Sequence, residues 1–172
     1  MIKGKKIVLR ALEKNDLRRC WKWINNSEVT RDMGTSFPKS MHEEERWYEE
    51  IQKSERRKVF AIQVGKKHVG NISLENIDYR SRKATLGIMI GEQNYWNKGY
   101  GSDAVKTLLL LAFNELNLHK IYLHVFPSNK RAIKCYRKCR FKEDGRLKDH
   151  IFKAGKYHDL LVMGVINKGE KR

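Results

Sequence analysis

The residues of this chain best suited to chemistry are a glycine-spaced corner and a tyrosine beyond it. The corner reads Trp96-Asn97-Lys98-Gly99-Tyr100-Gly101-Ser102. It opens a stretch in which Ala104, Val105, Leu108, Leu109, Ala112 and Leu116 recur at helical steps. A glycine-rich turn entering a helix aims free N–H groups and the positive helix end at one point, which makes an anion site. Two nucleotide readings fail on spacing. Gly99-x-Gly101-x-x-Ala104 fits the dinucleotide fingerprint, but that motif needs an acid at the end of the next strand, where this chain has Val125-Phe126-Pro127. A triphosphate loop needs Gly-Lys-Ser/Thr, and here Lys98 precedes Gly99. A tight turn without a ligand is the plain alternative.

The second group is Asn129-x-x-Ala132-x-x-x-Tyr136. Together with Tyr95–Gly101, Asn129-Lys130-Arg131-Ala132-Ile133 and the closing Gly155–Asp159 and Val162–Gly164, it resembles the GNAT superfamily of acetyl-CoA-dependent N-acetyltransferases. The resemblance is to the RimJ/RimL-type branch, it covers nearly the whole chain, and the chain is similar also to spermidine N-acetyltransferases. It implies an α/β fold with a mixed, mostly antiparallel sheet. The central parallel strands, Leu86–Ile90 and Ile121–Phe126, would splay apart to admit the pantetheine arm. The main chain of Ile88, Met89 and Ile90 would meet that arm. Asn97, Lys98, Gly99, Tyr100, Gly101 and Ser102 would hold the pyrophosphate through backbone N–H groups. Asn129 and Arg131 would add cofactor contacts, and no metal is implied.

Acetyl transfer to an amine needs a neutral nitrogen, a place for negative charge on oxygen, and a proton for the departing thiolate. Tyr136 is the candidate acid; the bland reading is a tyrosine that packs its helix on the sheet. The base is open. Many relatives carry a glutamate just before Leu-Gly, where this chain has Thr85. Threonine orients a water but is no base at neutral pH. Glu92, His124, Asp149 and His150 are the remaining choices. The acceptor would meet the Asn25–Lys39 loop, the following helix and the closing hairpin, with Glu28, Asp32, Thr85 and Asp159 as binding candidates. Glu43-Glu44-Glu45 adds negative charge there, although acids also favour a helix start.

With Thr85 in place of a carboxylate, the reading leans toward an amine of low pKa, such as a protein N-terminal α-amine of the ribosomal type. An α-amine titrates near 7.7–8.0, against about 10.4 for an alkylamine. A polyamine or an amino sugar is the alternative acceptor.

The chain has 172 residues and a net charge of +17, which suits one domain over 1–167 with a polar tail over 168–172. So positive a molecule attracts anions, coenzyme A and RNA among them. The densest cluster runs from Lys130 to Lys142, on and beyond the second signature. A basic RNA- or ribosome-binding module without catalysis is the alternative from another class, but the tryptophans are not interleaved with basic residues for stacking. Homodimerisation and a weak RNA or anion association stand as open partner readings. No apolar run is long enough to span a bilayer, and three cysteines without framework spacing suit a reduced, cytoplasmic setting. Cys135 and Cys139 lack a second ligand pair for zinc.

The positioning elements read as follows. Ile7–Leu12 alternates as an opening strand, and Asn15 or Asp16 caps a helix to about Ile24. Asn25–Lys39 is a loop. Ser40-x-x-Glu43 is a capping box that starts a helix to about Lys53. Val59–Val64 and His68–Ile77 form a hairpin, and Ser81–Ile90 returns as the central strand. Glu92–Asn94 is a polar turn, Ser128 or Asn129 caps a helix over Lys130–Lys138, and Ile151–Lys153 pairs with Tyr157–Ile166.

Overall fold

The computed structural model describes residues 1–34 and 37–169, so part of the Asn25–Lys39 loop and the end of the 168–172 tail lie outside the described residues. Eight strands form one sheet: β1 (Ile2–Lys3), β2 (Val8–Ala11), β3 (Lys58–Val64), β4 (Lys67–Asp78), β5 (Lys83–Ile90), β6 (Lys120–Val125), β7 (Lys142–Lys153) and β8 (Lys156–Ile166). Their spatial order is β1-β2-β3-β4-β5-β6-β8-β7. Every neighbouring pair is antiparallel except β5 and β6. That parallel pair matches only Lys83–Thr85 with Lys120–Tyr122. Beyond Thr85 the two strands part, while β5 stays paired to β4 as far as Ile90. The expected splay is therefore present, and it begins at Leu86.

Helices cover both faces: α1 (Leu17–Ile24), the short α2 (Ser27–Thr30) and α3 (Met41–Lys53) on one, α4 (Tyr100–Leu110) and α5 (Lys130–Lys138) on the other. Strand alternation sorts the core into two layers. Ile62 joins the α4 layer with Leu74, Leu108, Ile121 and Leu123, whereas its neighbour Ala61 joins Cys20, Trp23 and Ile51 under α1 and α3. On β5, Ile88 and Ile90 pack toward α4, and Met89 packs toward α1 and α3.

Local chemistry starts these helices where the residues allow it. Ser40 Oγ accepts from Glu43 N at 3.1 Å and Glu43 Oε2 accepts from Ser40 N at 2.9 Å, closing the capping box of α3. Asn129, and not Ser128, caps α5 by accepting from Ala132 N at 3.0 Å. At α1, Asp16 holds the expected N-cap position, but its side chain makes no cap bond to the helix. A 3-10 turn, Lys14–Asp16, precedes the helix, and Asp16 reaches back to Glu13 N at 2.9 Å while pairing with Arg10 at 2.6 Å.

Three further boundaries differ from expectation. The Asn25–Lys39 loop contains α2, capped by Asn26, which accepts from Glu28 N at 3.0 Å. Strand β7 begins at Lys142 rather than Ile151, because an edge strand pairs by main chain and its charged outer residues hide the alternation. The short β1 adds an edge to β2. Among the described residues no helix is long and apolar enough to cross a membrane.

Candidate active site

The splay of β5 from β6 opens a cleft of about 860 Å³. Its floor is Leu86–Ile90 of β5, one wall is His124–Phe126 at the end of β6, and α5 with the 95–102 corner closes the other end. Gly99 is the N-cap of α4 with φ +86°, a left-handed conformation that favours glycine. Asn97, just before it, also has positive φ, at 61°. A Cβ at Gly101 would meet nothing nearer than 3.9 Å, so nothing within the fold requires glycine there. Its bareness keeps the main chain open to whatever occupies the corner.

The corner and α5 face each other across the cleft. Arg131 Cζ lies 3.9 Å from the centre of the Trp96 ring, a cation–π contact, and Trp96 Nε1 donates to the Ile90 carbonyl at 2.7 Å. Lys130, Lys134 and Lys138 line the same end. The arrangement is an anion-binding mouth leading to an apolar channel along β5. It fits a phosphate-bearing ligand with a long, neutral arm.

Ile88, Met89, Ile90, Asn97, Gly99, Gly101, Ser102, Asn129, Arg131 and Tyr136 all line this cleft, as do Glu28 and Asp32 from the α2 side. The side chains of Lys98 and Tyr100 stand apart from the cleft, which leaves the expectation for their main-chain N–H groups as it was. The Lys98 side chain is exposed and its carbonyl accepts from Lys6 Nζ at 3.3 Å, while Tyr100 packs on Tyr95 with ring centres 5.6 Å apart. Tyr136 is buried, 8% exposed, and touches Phe141 at 5.8 Å between ring centres. Burial, followed by the nearby Cys135 and Cys139 thiols, drives its hydroxyl pKa well above the usual phenol range, so it stays protonated.

The acceptor-side candidates divide. Asp159 lies outside the cleft, where it accepts from Arg146 Nε at 2.5 Å and from Asp149 N at 2.8 Å, bracing the irregular part of the β7–β8 pairing. Glu92 is likewise engaged, by Lys67 at 2.6 Å and by Trp23 Nε1 at 3.2 Å. Burial works against its charge, but these hydrogen bonds outweigh it and hold the carboxyl below its ordinary value. His124 lines the cleft and is exposed; partial loss of water at the cleft wall, and then the neighbouring His150, lower its pKa and favour neutral imidazole.

Thr85 sits where β6 still pairs, half-buried and outside the cleft, but its register explains more than its own position. It lies directly opposite Glu75 on β4, and Gly87 lies opposite Ser73. Directly opposed residues share a face, so Asn71, Ser73 and Glu75 of β4 and Thr85, Gly87 and Met89 of β5 form one row toward α1 and α3. Ser73 Oγ donates to Glu75 Oε1 at 3.0 Å. A side chain at Gly87 would fill this space, with Ser73 Oγ at 2.7 Å and Glu75 Oε1 at 3.7 Å from the added Cβ.

The space is the inner end of a second cleft, about 440 Å³, between α3 and the sheet. Gly87, Ile88, Met89 and Met33 line both clefts. Glu75 was missed in the sequence because no local spacing links it to Thr85; only strand register does. Lys153 was missed for a similar reason. From the tip of the β7–β8 hairpin, its ammonium donates to the carbonyls of Thr30 at 3.0 Å, Arg31 at 2.9 Å and Met33 at 2.5 Å, fastening the segment that carries Glu28 and Asp32. Among the described residues, no three His, Cys, Asp or Glu side chains gather as a metal site.

Comparison with known proteins places this geometry. Residues 6–142 match the acetyltransferase (GNAT) domain. The spermidine N(1)-acetyltransferase of Vibrio cholerae serotype O1 is 32% identical over 161 residues, spanning 93% of this chain and 92% of that protein. The Escherichia coli K12 spermidine N(1)-acetyltransferase is 30% identical over 168 residues, spanning 91% and 84%. The crystal structure of the Vibrio cholerae spermidine N-acetyltransferase in complex with CoA and spermine superposes with a TM-score of 0.89 at 31% identity, covering 95% of this chain and 96% of that one. With its splayed parallel pair, its glycine corner and a matching family model over most of its length, the chain belongs to the GNAT acetyltransferases and is an acetyl-CoA-dependent N-acetyltransferase.

Proposed function

We propose that the acceptor is a polyamine, and that it enters through the α3-side cleft to meet the acetyl group at Gly87–Met89. The observation that carries this reading is the junction of the two clefts on β5: Lys130, Arg131, Lys134 and Lys138 crowd the α5 end of the first, while four carboxylates, Glu43, Glu44, Glu50 and Glu75, outnumber Lys39 and Arg46 in the second. An acid-lined approach suits a cationic amine, and two similar enzymes are spermidine acetyltransferases. The lean toward an N-terminal α-amine rested on Thr85 and the missing carboxylate. Glu75, across the β4–β5 ladder, removes that ground.

Acetyl-CoA supplies the acetyl group as an activated thioester. Asn97, Gly99, Gly101 and Ser102 receive its phosphates, with Asn129 and Arg131 beside them, and the bared edge of β5 receives its arm. Glu75, steadied by Ser73, accepts a hydrogen bond from the attacking nitrogen and carries its proton toward water. Glu75 passes the proton on to water and does not keep it, so it acts as a relay. Tyr136, kept protonated by burial, donates a hydrogen bond to the departing sulfur. Glu28 and Asp32 line the β5–β6 cleft from the α2 side and add negative charge near the point where the two clefts meet.

The test is steady-state acetylation of spermidine by wild type and by Glu75→Gln. The substitution keeps the shape and removes the relay, so kcat/KM should fall at least about a hundredfold. A value within about threefold of wild type contradicts the assignment of Glu75.

A further inference from the structure

Helix α3 turns Glu44, Trp47, Tyr48 and Ile51 toward the sheet, at the three- and four-residue spacing of a buried stripe. Trp47, Tyr48 and Ile51 belong to the apolar layer under α1 and α3; the remaining member is a carboxylate. Glu44 is 9% exposed, and among the described residues its carboxylate has neither a hydrogen-bond nor an ion-pair partner. Its neighbour Glu43 is different. That residue closes the capping box and pairs with Lys39 at 3.0 Å, so the helix start explains it. Glu44 shares the first turn, where the helix dipole favours an acid, but it takes no part in the capping box and is turned under the helix instead.

Burial pushes the Glu44 carboxyl up, and only the charge of Lys39 opposes this. Beside it Cys20 is a neutral thiol, raised to about 11 chiefly by burial. A carboxylate so largely covered, reaching solvent only through the cleft and with no cation paired to it, is disfavoured in the free protein. The side chain lines the α3-side cleft, whose inner end holds Ser73, Glu75 and Gly87. A cation in that cleft would supply the partner that the fold withholds.

We propose that Glu44 docks the second, non-reacting ammonium of an acceptor that carries at least two cationic nitrogens. This deepens the polyamine reading and rests on it. Glu75 takes the reacting end beside Gly87, and Glu44 takes the next charge along the cleft. A monoamine of similar length leaves Glu44 unpaired and gains nothing from it, so the residue selects for charge spacing rather than for alkyl length.

The experiment compares spermidine with octylamine as acceptors for the full-length wild type and Glu44→Gln, and follows thermal unfolding of both proteins with and without spermidine. The ratio of kcat/KM for spermidine over octylamine should fall about tenfold or more in Glu44→Gln. Without ligand the variant should melt at or above the wild-type temperature, because an uncompensated charge is gone. The rise in Tm produced by spermidine should shrink. Glu44→Asp should keep part of the preference. A wild type that prefers spermidine, with a preference and a Tm rise that survive Glu44→Gln, overturns the docking role and leaves the polyamine reading in place. A Glu44→Gln protein that melts well below wild type yet keeps its preference also overturns it, making Glu44 structural. A wild type that shows no preference for spermidine over octylamine removes both.

Discussion

Tyr136 and Glu75 show how differently two residues of one site are written in a sequence. Tyr136 follows Asn129 on a single helix, inside one local signature, so the family resemblance could place it beside the cofactor corner. Glu75 belongs to another strand, and its relation to Thr85 exists only in the β4–β5 register. Asp159 was misread because a carboxylate in the right hairpin was taken to face the acceptor, whereas Arg146 and the Asp149 N–H occupy it. Removing the Tyr136 hydroxyl with Tyr136→Phe should lower kcat by roughly 10²–10⁴-fold with little change in coenzyme A affinity, as read by single-turnover and binding measurements. The pH dependence is signed. A phenol whose pKa is raised above about 10 keeps its proton throughout the assay range, so kcat should show no fall up to about pH 10 from this group. A descending limb below pH 9 that vanishes in Tyr136→Phe would contradict the burial argument.

At the scale of elements, caps and apolar stripes were legible and edges were not. The Ser40 box and the Asn129 cap act between residues three apart, so they are visible in sequence. Strand β7 and the Lys153 clamp depend on partners far along the chain. The Gly101→Ala variant tests the corner more cleanly than a change at Gly99. A methyl there meets only ordinary contacts at 3.9 Å, so stability should hold, while coenzyme A affinity should fall about tenfold if the main chain must lie against phosphate. Any bulky residue at Gly99 would strain the left-handed N-cap and confuse folding with binding. Lys153→Met removes the clamp on the α2 segment and should raise KM for the amine several-fold while leaving KM for acetyl-CoA unchanged, with Lys153→Arg restoring part of the loss. Equal changes in both KM values would make Lys153 a general structural residue.

Asp16 carries a stability prediction at the same scale. It is 8% exposed, pairs with Arg10 at 2.6 Å and accepts from Glu13 N. Burial opposes its charge, but these hydrogen bonds win and lower its carboxyl pKa. A lowered folded pKa means stability present above the unfolded value, about 3.9, and lost as pH falls through the folded one. Asp16→Asn leaves Arg10 with only its neutral partners, Gln63 and the Ala11 carbonyl, and should cost about 2 kcal/mol in denaturant unfolding at pH 7, with a smaller difference from wild type below pH 3.

For the whole molecule, the net charge of +17 conceals a division. Lysines and Arg131 crowd the mouth of the cofactor cleft, while carboxylates outnumber Lys39 and Arg46 along the approach from α3. The fold class was readable because the glycine corner, the Asn129 signature and the order of strands and helices all agreed. The acceptor was not readable, because its cleft is assembled from α1, α3, β3, β4 and β5, which share no motif. The most direct measurement is a competition. Spermidine and a peptide with a free N-terminal α-amine are mixed in equal amounts with limiting acetyl-CoA, and the products are weighed by mass spectrometry. The account predicts acetylated spermidine in excess by about a hundredfold or more; a mixture dominated by acetylated peptide would contradict it.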